Sequence, residues 1–220
     1  MEGVSQQQAT NWVASLQRFL GAKTAAAEHC DLCSAEIGNE HAHLIEPDSR
    51  RLSCACRTCA LLFANSEGGK YRLVPREVSQ LRDFNLSDAQ WDALLIPINM
   101  AFFFRSSTRA QVLAMYPGPA GATESMLGLD AWGDLAGDNP VLRDLEEDVE
   151  ALLVNRVEGA REYYRVPIDR CYELVGLLRN HWRGISGGPG AHEAIRTFFA
   201  NLQVQAPTSA TCNPGARAHA

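Results

Sequence analysis

The strongest hydrophobic periodicity in the 220-residue chain lies between residues 168 and 182. Apolar side chains recur there at intervals of three and four, which places them on one side of an α-helix. The positions on that side are Ile168, Cys171, Leu174, Val175, Leu178 and Trp182. Similar spacing predicts helices at 6–20, 57–65 and 191–202. Ser87 and Gln90 form a capping box that predicts one more helix, ended by Pro97.

Apolar runs separated by turn residues predict β-strands, mostly in pairs. One hairpin spans HAHLIEP and RRLSC with PDSR as its turn, and a second surrounds SSTR within residues 99–119. EALLVNRV and REYYRVP form a third pair, and YRLVP is a single strand. We expect loops at 118–124 and 184–190, and short helices in 126–148 interrupted by GDNP.

The most specific motif is a pair of C-x-x-C sequences, Cys30 with Cys33 and Cys56 with Cys59, separated by 22 residues. Two residues between cysteines allow both thiolates to occupy adjacent corners of a tetrahedron around one metal ion. The separation is close to that of four-thiolate zinc sites. The sequence therefore predicts a zinc site, and a closed set of four protein ligands is typical of structural zinc.

These patterns predict an α+β fold with two parts. A treble-clef or zinc-ribbon-like module, with a hairpin followed by a helix at the second cysteine pair, precedes a mixed α+β domain. We predict an N-terminal helix and linker at 1–28, the cysteine-rich metal-binding module at 29–66, the α+β domain at 67–203 and a disordered tail at 204–220.

Two other interpretations of the cysteines remain open. Disulfides would be the structural alternative, but a reducing cytosol disfavours them. Iron held by four thiolates, as in a rubredoxin, would make the module an electron carrier. Rubredoxin-like pairs read C-x-x-C-G, whereas Ser34 and Ala60 follow the second cysteines here, which counts against iron.

Three further residues of the module are possible alternative ligands or neighbours of the metal. Cys54 could replace Cys56, or lie outside the ligand set as a free or small buried thiol. His41 and His43, two residues apart on one strand, share a face. They could hold a second metal ion or hydrogen-bond the thiolates, but the polar face of a hairpin is the simpler interpretation.

The charge distribution argues against a general nucleic-acid-binding protein. The net charge is −6, although seven basic residues against two acidic ones fall within residues 50–82. This basic strip beside a zinc module could contact DNA, an acidic protein surface or the thiolates. Aromatic residues are sparse there, so we rank a DNA-binding regulator low.

No motif in the sequence predicts catalysis. We find no Ser/His/Asp set, nucleotide-binding fingerprint or His-Glu zinc motif, so we predict a non-catalytic protein. An enzyme with an unrecognised site on the second domain stays open as an alternative. The acidic run EEDVE (146–150) reads as a solvated face, and Cys171 as a core residue.

The composition, with 46% apolar and 21% charged residues, is that of an ordinary globular protein. The longest apolar run is too short to span a membrane. No signal-peptide pattern opens the sequence, so we expect a cytoplasmic protein.

The combination of CDLC, HAHL and CACRTCALLF with YRLVP, VPIDRCYELVGLLRNHWRGISGG and AIRTFF resembles an uncharacterised bacterial family over about residues 10–202. Members of that family are encoded beside nickel–iron hydrogenase genes, in clusters of the high-affinity, oxygen-tolerant type. The resemblance implies an accessory role in hydrogenase maturation or assembly, with a hydrogenase subunit or maturation factor as protein partner. It assigns no function to individual residues.

Overall fold

The computed structural model of the chain describes residues 27–64, 69–118, 120–126, 129–181 and 188–206. The strands are β1 (Glu28–His29), β2 (Glu36–Ile37), β3 (Ala42–Glu46), β4 (Arg51–Ala55), β5 (Arg72–Leu73), β6 (Ser79–Gln80), β7 (Met100–Ser106), β8 (Gln111–Gly118), β9 (Gly121–Glu124), β10 (Glu150–Asn155) and β11 (Glu162–Pro167). The helices are α1 (Arg57–Ala64), α2 (Asp88–Ala93), α3 (Leu129–Asp138), α4 (Ile168–His181) and α5 (Gly188–Gln205). Short 3-10 helices occupy Pro140–Asp144 and Val157–Gly159. The protein is thus a mixed α+β structure, as predicted.

The cysteine-rich part contains two small sheets and α1. Strands β1 and β2 form a two-stranded antiparallel sheet, and a second sheet has the order β4-β3-β5. The hairpin predicted about PDSR is present, with Glu46 opposite Arg51. Strand β5 pairs with the other side of β3, so a strand expected in the second domain completes this sheet. The division at residue 66 stays a prediction.

The larger part is built on a six-stranded antiparallel sheet with the order β6-β11-β10-β7-β8-β9. Helices cover both of its faces. Phe102 and Phe104 of β7 pack in one core with α4 and α5, and Phe103 packs in another core with α2 and α3. Because side chains alternate along a strand, a strand buried on both faces is apolar throughout. This explains the continuous apolar run in β7.

The cysteine-rich part shares the first of these cores. Ile45 of β3 and Val74, just after β5, are buried together with α4 and the central strands. Polar contacts add to this junction, since Arg50 lies 3.6 Å from Glu124 of β9 and Arg72 donates to the carbonyl of Glu147. The cysteine-rich part and the large sheet therefore pack as one structure.

The apolar side predicted for α4 is confirmed by the burial of Ile168, Cys171, Leu174, Val175 and Leu178. Trp182 lies outside the described residues. The capping box is also confirmed, because the Ser87 side chain accepts from the Gln90 amide while the Gln90 side chain accepts from the Ser87 amide.

Two boundaries predicted from the sequence are wrong. Residues 118–124, expected as a loop, contain β9, which pairs antiparallel with β8 and places Gly118 opposite Gly121. Gly121 has a φ of 121°, which glycine adopts without strain. Helix α5 begins at Gly188 and ends at Gln205, whereas the sequence predicted 191–202. The predicted helix at 6–20 and most of the predicted disordered tail lie outside the described residues.

Within the described ranges, none of the helices combines the length and apolar character that a membrane crossing requires.

Candidate metal centre

The first cysteine pair lies in the connection between β1 and β2. The Cys30 amide donates to the Ala35 carbonyl at 2.8 Å, and the Ser34 amide donates to the Cys30 carbonyl at the same distance. Ser34 has a φ of 61°, the left-handed conformation that a glycine after C-x-x-C usually supplies. The turn therefore has the tight shape that C-x-x-C requires, although the sequence lacks that glycine.

The second cysteine pair begins helix α1. Cys56 precedes the helix and Cys59 lies in its first turn, where the Cys59 amide donates to Cys56 Sγ at 3.4 Å. Amide groups at a helix start carry partial positive charge. These amide groups therefore help to stabilise the anionic sulfurs that a bound metal ion would require.

The four predicted cysteines converge on one point. The Sγ atoms of Cys30, Cys33, Cys56 and Cys59 all lie within 4.8 Å of one another. Cys33 Sγ and Cys56 Sγ are 3.7 Å apart. Tetrahedral zinc with bonds of about 2.3 Å places its sulfurs about 3.8 Å apart, whereas a disulfide bond is about 2.05 Å long. The described cysteines are free thiols, and this cluster could hold one metal ion.

The electrostatics of the cluster favour a bound cation. Burial raises the pKa of Cys30, but backbone hydrogen bonds, first of all from Cys56, outweigh it and lower the pKa to about 6. Burial and the neighbouring cysteines raise the pKa of Cys59 to about 12. Without metal, a second thiolate is therefore unfavourable beside the first. A divalent cation removes that penalty and allows the remaining thiols to ionise.

The three remaining candidates do not join these four sulfurs. His41, His43 and Cys54 form a second cluster whose ligand atoms also lie within 4.8 Å of one another. His43 and Cys54 face each other across the β3–β4 hairpin. The rings of His41 and His43 pack edge to face, with their centroids 4.8 Å apart. Cys54 therefore does not replace Cys56 in the four-cysteine cluster.

Cys54 is nevertheless tied to the first cysteine turn. Its amide donates to Asp31 Oδ2 at 2.7 Å, and its carbonyl accepts from the Asp31 amide at 2.9 Å. Burial, with the negative charges of Asp31 and Glu28, raises the pKa of the Cys54 thiol. In the metal-free protein Cys54 is thus a neutral thiol at neutral pH, not an activated nucleophile.

Each histidine of the second cluster is held by a partner at Nδ1. His43 Nδ1 lies 2.7 Å from Oδ2 of Asp169, in the first turn of α4. His41 Nδ1 lies 2.9 Å from the Gly38 carbonyl and 3.3 Å from Glu28 Oε2. The interpretation of both histidines as the exposed polar face of a hairpin fails for His41, whose side chain is only 9% exposed.

Three of the seven basic residues of the predicted basic strip are paired with acidic groups of this chain. Lys70 lies 3.0 Å from Glu46, and Arg72 lies 3.5 Å from Asp148. Arg50 lies near Glu124, as described above. These contacts reduce the positive charge available to a polyanion.

The acidic run at 146–150 is a solvated face only in part. Asp148 and Glu150 are buried, 2% and 6% exposed. Asp148 accepts from the Ser107 amide at 2.9 Å, and Glu150 accepts from Arg165 Nε at 2.9 Å. The prediction is wrong for these two residues because both carboxylates serve the sheet as internal hydrogen-bond acceptors.

Comparison with known protein families identifies the family of this chain. A family model described as a family of unknown function (DUF5947) matches residues 29–206. The chain belongs to this family. No curated protein and no solved structure matches it. The matched region contains both clusters and Asp169, so the candidate metal centre lies within the part of the chain that the family model describes.

Proposed function

We propose that this protein is a non-catalytic accessory protein that assists the maturation or assembly of a nickel–iron hydrogenase through protein–protein contacts. Its four-cysteine cluster would hold a structural zinc ion. The observation that carries the proposal is a closed set of four converging sulfurs directly beside an exposed apolar helix face. Four protein ligands leave no coordination position for a substrate, so the ion would shape a binding surface.

Zinc is favoured over iron by the unequal surroundings of the two cysteine pairs. The first pair lies in a turn between short strands, whereas the second pair opens α1. A knuckle, a hairpin and a helix carrying the last two ligands are the parts of a treble-clef zinc finger. A rubredoxin-like site would instead use two similar turns.

Elemental analysis with a visible spectrum of the purified, untagged protein tests the metal. One zinc ion per chain and a colourless solution would support a structural zinc site. One iron ion per chain with thiolate absorption would instead support the second candidate function, an electron carrier.

The binding surface lies on α1 and β5. Leu61 and Leu73 are 59% and 42% exposed, and both line a groove of about 620 Å³. Arg57, Arg76 and Glu40 also line this groove. An apolar centre with charged groups of both signs at its edge is typical of a protein interface and does not suit a nucleic acid.

The resemblance to proteins encoded beside nickel–iron hydrogenase genes supplies the partner: a hydrogenase subunit or maturation factor. The test is a deletion strain complemented with the wild-type chain or with Leu61→Glu. We expect Leu61→Glu to lower hydrogenase activity and to reduce co-purification of hydrogenase proteins with the tagged chain.

The matched control is Val204→Glu, which places the same charge at an apolar residue that is 86% exposed on α5. It should behave as wild type, and both variants should keep their metal and their unfolding temperature. Full hydrogenase activity in the deletion strain would overturn the proposed role.

A further inference from the structure

We propose that His41, His43 and Cys54 form a second metal site, with three protein ligands and one open coordination position, which binds a zinc-class divalent ion reversibly. This proposal goes beyond the proposed function and does not depend on the hydrogenase. The ligand atoms of the three residues lie within 4.8 Å of one another, as do those of the four-cysteine cluster.

The β3–β4 hairpin brings the three side chains to one face. His43 is directly opposite Cys54 in the register, and His41 lies two residues before His43. Residues two apart on an extended chain point to the same side. Regular hairpin geometry therefore places His43 beside Cys54, and His41 joins them from the residue just before β3.

The hydrogen bonds of the histidines leave one nitrogen of each available. A carboxylate and a carbonyl oxygen can only accept, so His43 Nδ1–H donates to Asp169 and His41 Nδ1–H donates to Gly38. In the neutral rings, both Nε2 atoms then carry lone pairs. Metal-binding histidines are typically held in this way, with the other ring nitrogen donating to a carboxylate or a carbonyl.

An unsatisfied atom at His41 points to a missing ligand. The His41 side chain is only 9% exposed, and its Nε2 atom is buried without a hydrogen-bond partner among the described residues. An orphaned buried nitrogen costs free energy unless something binds it. A metal ion bound to Nε2 would satisfy it, and a ring nitrogen of His43 and the Cys54 Sγ belong to the same cluster of ligand atoms within 4.8 Å of one another.

The ligand set indicates the class of ion and its exchange. Two imidazoles and one thiolate suit zinc, cobalt and similar late first-row ions, not magnesium or calcium. Three protein ligands leave one position for water or a partner's side chain. The side chain of His43 is 31% exposed, so solvent reaches this site. We therefore expect weaker, exchangeable binding here and tight binding by the four cysteines.

Asp169 is a positioning residue for this site. It lies on α4, 126 residues from His43 in the sequence, and holds the His43 ring by the 2.7 Å contact. An ion bound here would therefore connect the β3–β4 hairpin to a helix of the larger part.

The test is an anaerobic Co²⁺ titration of the full-length protein loaded with one equivalent of Zn²⁺, which occupies the tighter four-cysteine cluster. We expect one additional Co²⁺ per chain, with a thiolate-to-cobalt charge-transfer band and the visible bands of a four-coordinate ion, displaced by added Zn²⁺. Zinc-loaded protein that gives no thiolate–cobalt band would overturn the proposal. It would also leave the four-cysteine zinc untouched, so the two proposals fail separately.

Variants assign the ligands. Cys54→Ser should abolish the charge-transfer band, and His41→Gln should weaken Co²⁺ binding strongly. Asp169→Asn should weaken binding roughly 10- to 100-fold, as loss of a histidine's outer partner does. His192→Gln, on α5, is the matched control and should titrate as wild type. A band that survives in Cys54→Ser would refute the assignment, because it must then arise from the other cysteines.

Discussion

His43 Nδ1 on β3 and Asp169 Oδ2 on α4 lie 2.7 Å apart and join the cysteine-rich part to the larger part of the fold. The Asp169 side chain is only 18% exposed, so water replaces this contact poorly. We expect Asp169→Ala to lower the free energy of unfolding by about 1.5–3 kcal/mol, as for hydrogen bonds to charged groups.

Thermal or urea unfolding measures this effect. A double-mutant cycle with His43→Ala should give a coupling free energy of about 0.5–3 kcal/mol. Glu193→Ala is the control, since Glu193 pairs with Arg196 at 2.7 Å on the exposed surface of α5 and should contribute little. Additive effects of Asp169→Ala and His43→Ala would show that the contact does not connect the two parts.

Cys56→Ser should remove the structural metal and destabilise the module. Thiolate ligation contributes folding energy, about 10–16 kcal/mol in isolated zinc-finger peptides at neutral pH, so loss of one ligand is severe. Metal per chain and unfolding temperature are the measurements. Cys54→Ser, two residues away, should retain the ion of the four-cysteine cluster. A Cys56→Ser protein with full metal content and normal stability would contradict the assignment.

Two acidic residues of the same segment should differ greatly in their contribution to stability. Glu150 pairs with Arg165 in a buried position, with side chains 8% and 17% exposed. Glu150→Ala leaves the guanidinium without its partner and should cost about 3–5 kcal/mol. Glu147 contacts Arg105 at 3.1 Å where both side chains are well exposed, so Glu147→Ala should cost at most about 1 kcal/mol. Urea unfolding of both variants measures these free energies of unfolding. Similar losses in the two variants would argue against a buried pair.

We expect the buried Tyr164 hydroxyl to make the protein less stable at alkaline pH. This hydroxyl is buried without a hydrogen-bond partner in the part of the chain that the structure describes. Burial, with the negative charge of Glu162, raises the pKa of Tyr164 to about 12. An unfolded tyrosine has a pKa of about 10. Between these values the unfolded chain releases a proton that the folded protein keeps, so the free energy of unfolding falls as pH rises.

Tyr164→Phe removes both the orphaned hydroxyl and this proton. We expect the variant to be as stable as wild type at pH 7, or more stable by about 1 kcal/mol. Above pH 10 it should lack a decline of roughly 1.4 kcal/mol per pH unit. Unfolding curves at pH 7 and between pH 10 and 11 decide this. A variant that is less stable at pH 7 would show that the hydroxyl has a partner after all.

The elements with strong local signals could be predicted from the sequence. The apolar side of α4, the capping box of α2 and the hairpin about PDSR all have patterns several residues long. Strands β1, β2 and β6 have two residues each, too few to show alternation. Strand β9 was missed because a glycine- and proline-rich stretch signals a turn but not the short strand that follows.

The four-cysteine cluster was visible in the sequence because both pairs use local spacing. The second cluster was partly visible. With PDSR as the turn and Glu46 opposite Arg51, counting three residues outward on each strand places His43 opposite Cys54. Asp169 could not be found in this way, because only the packing of α4 against the hairpin brings it to His43.

Strand β3 lies in the middle of its sheet only because β5 covers one side. A fragment ending at residue 66 would keep all four cysteines but would lose β5 and Val74. The exposed backbone of β3 could then recruit a strand from another molecule, and Ile45 would lose its cover. Such a fragment should bind metal and still self-associate. In such a fragment, solubility would therefore be lost before metal binding.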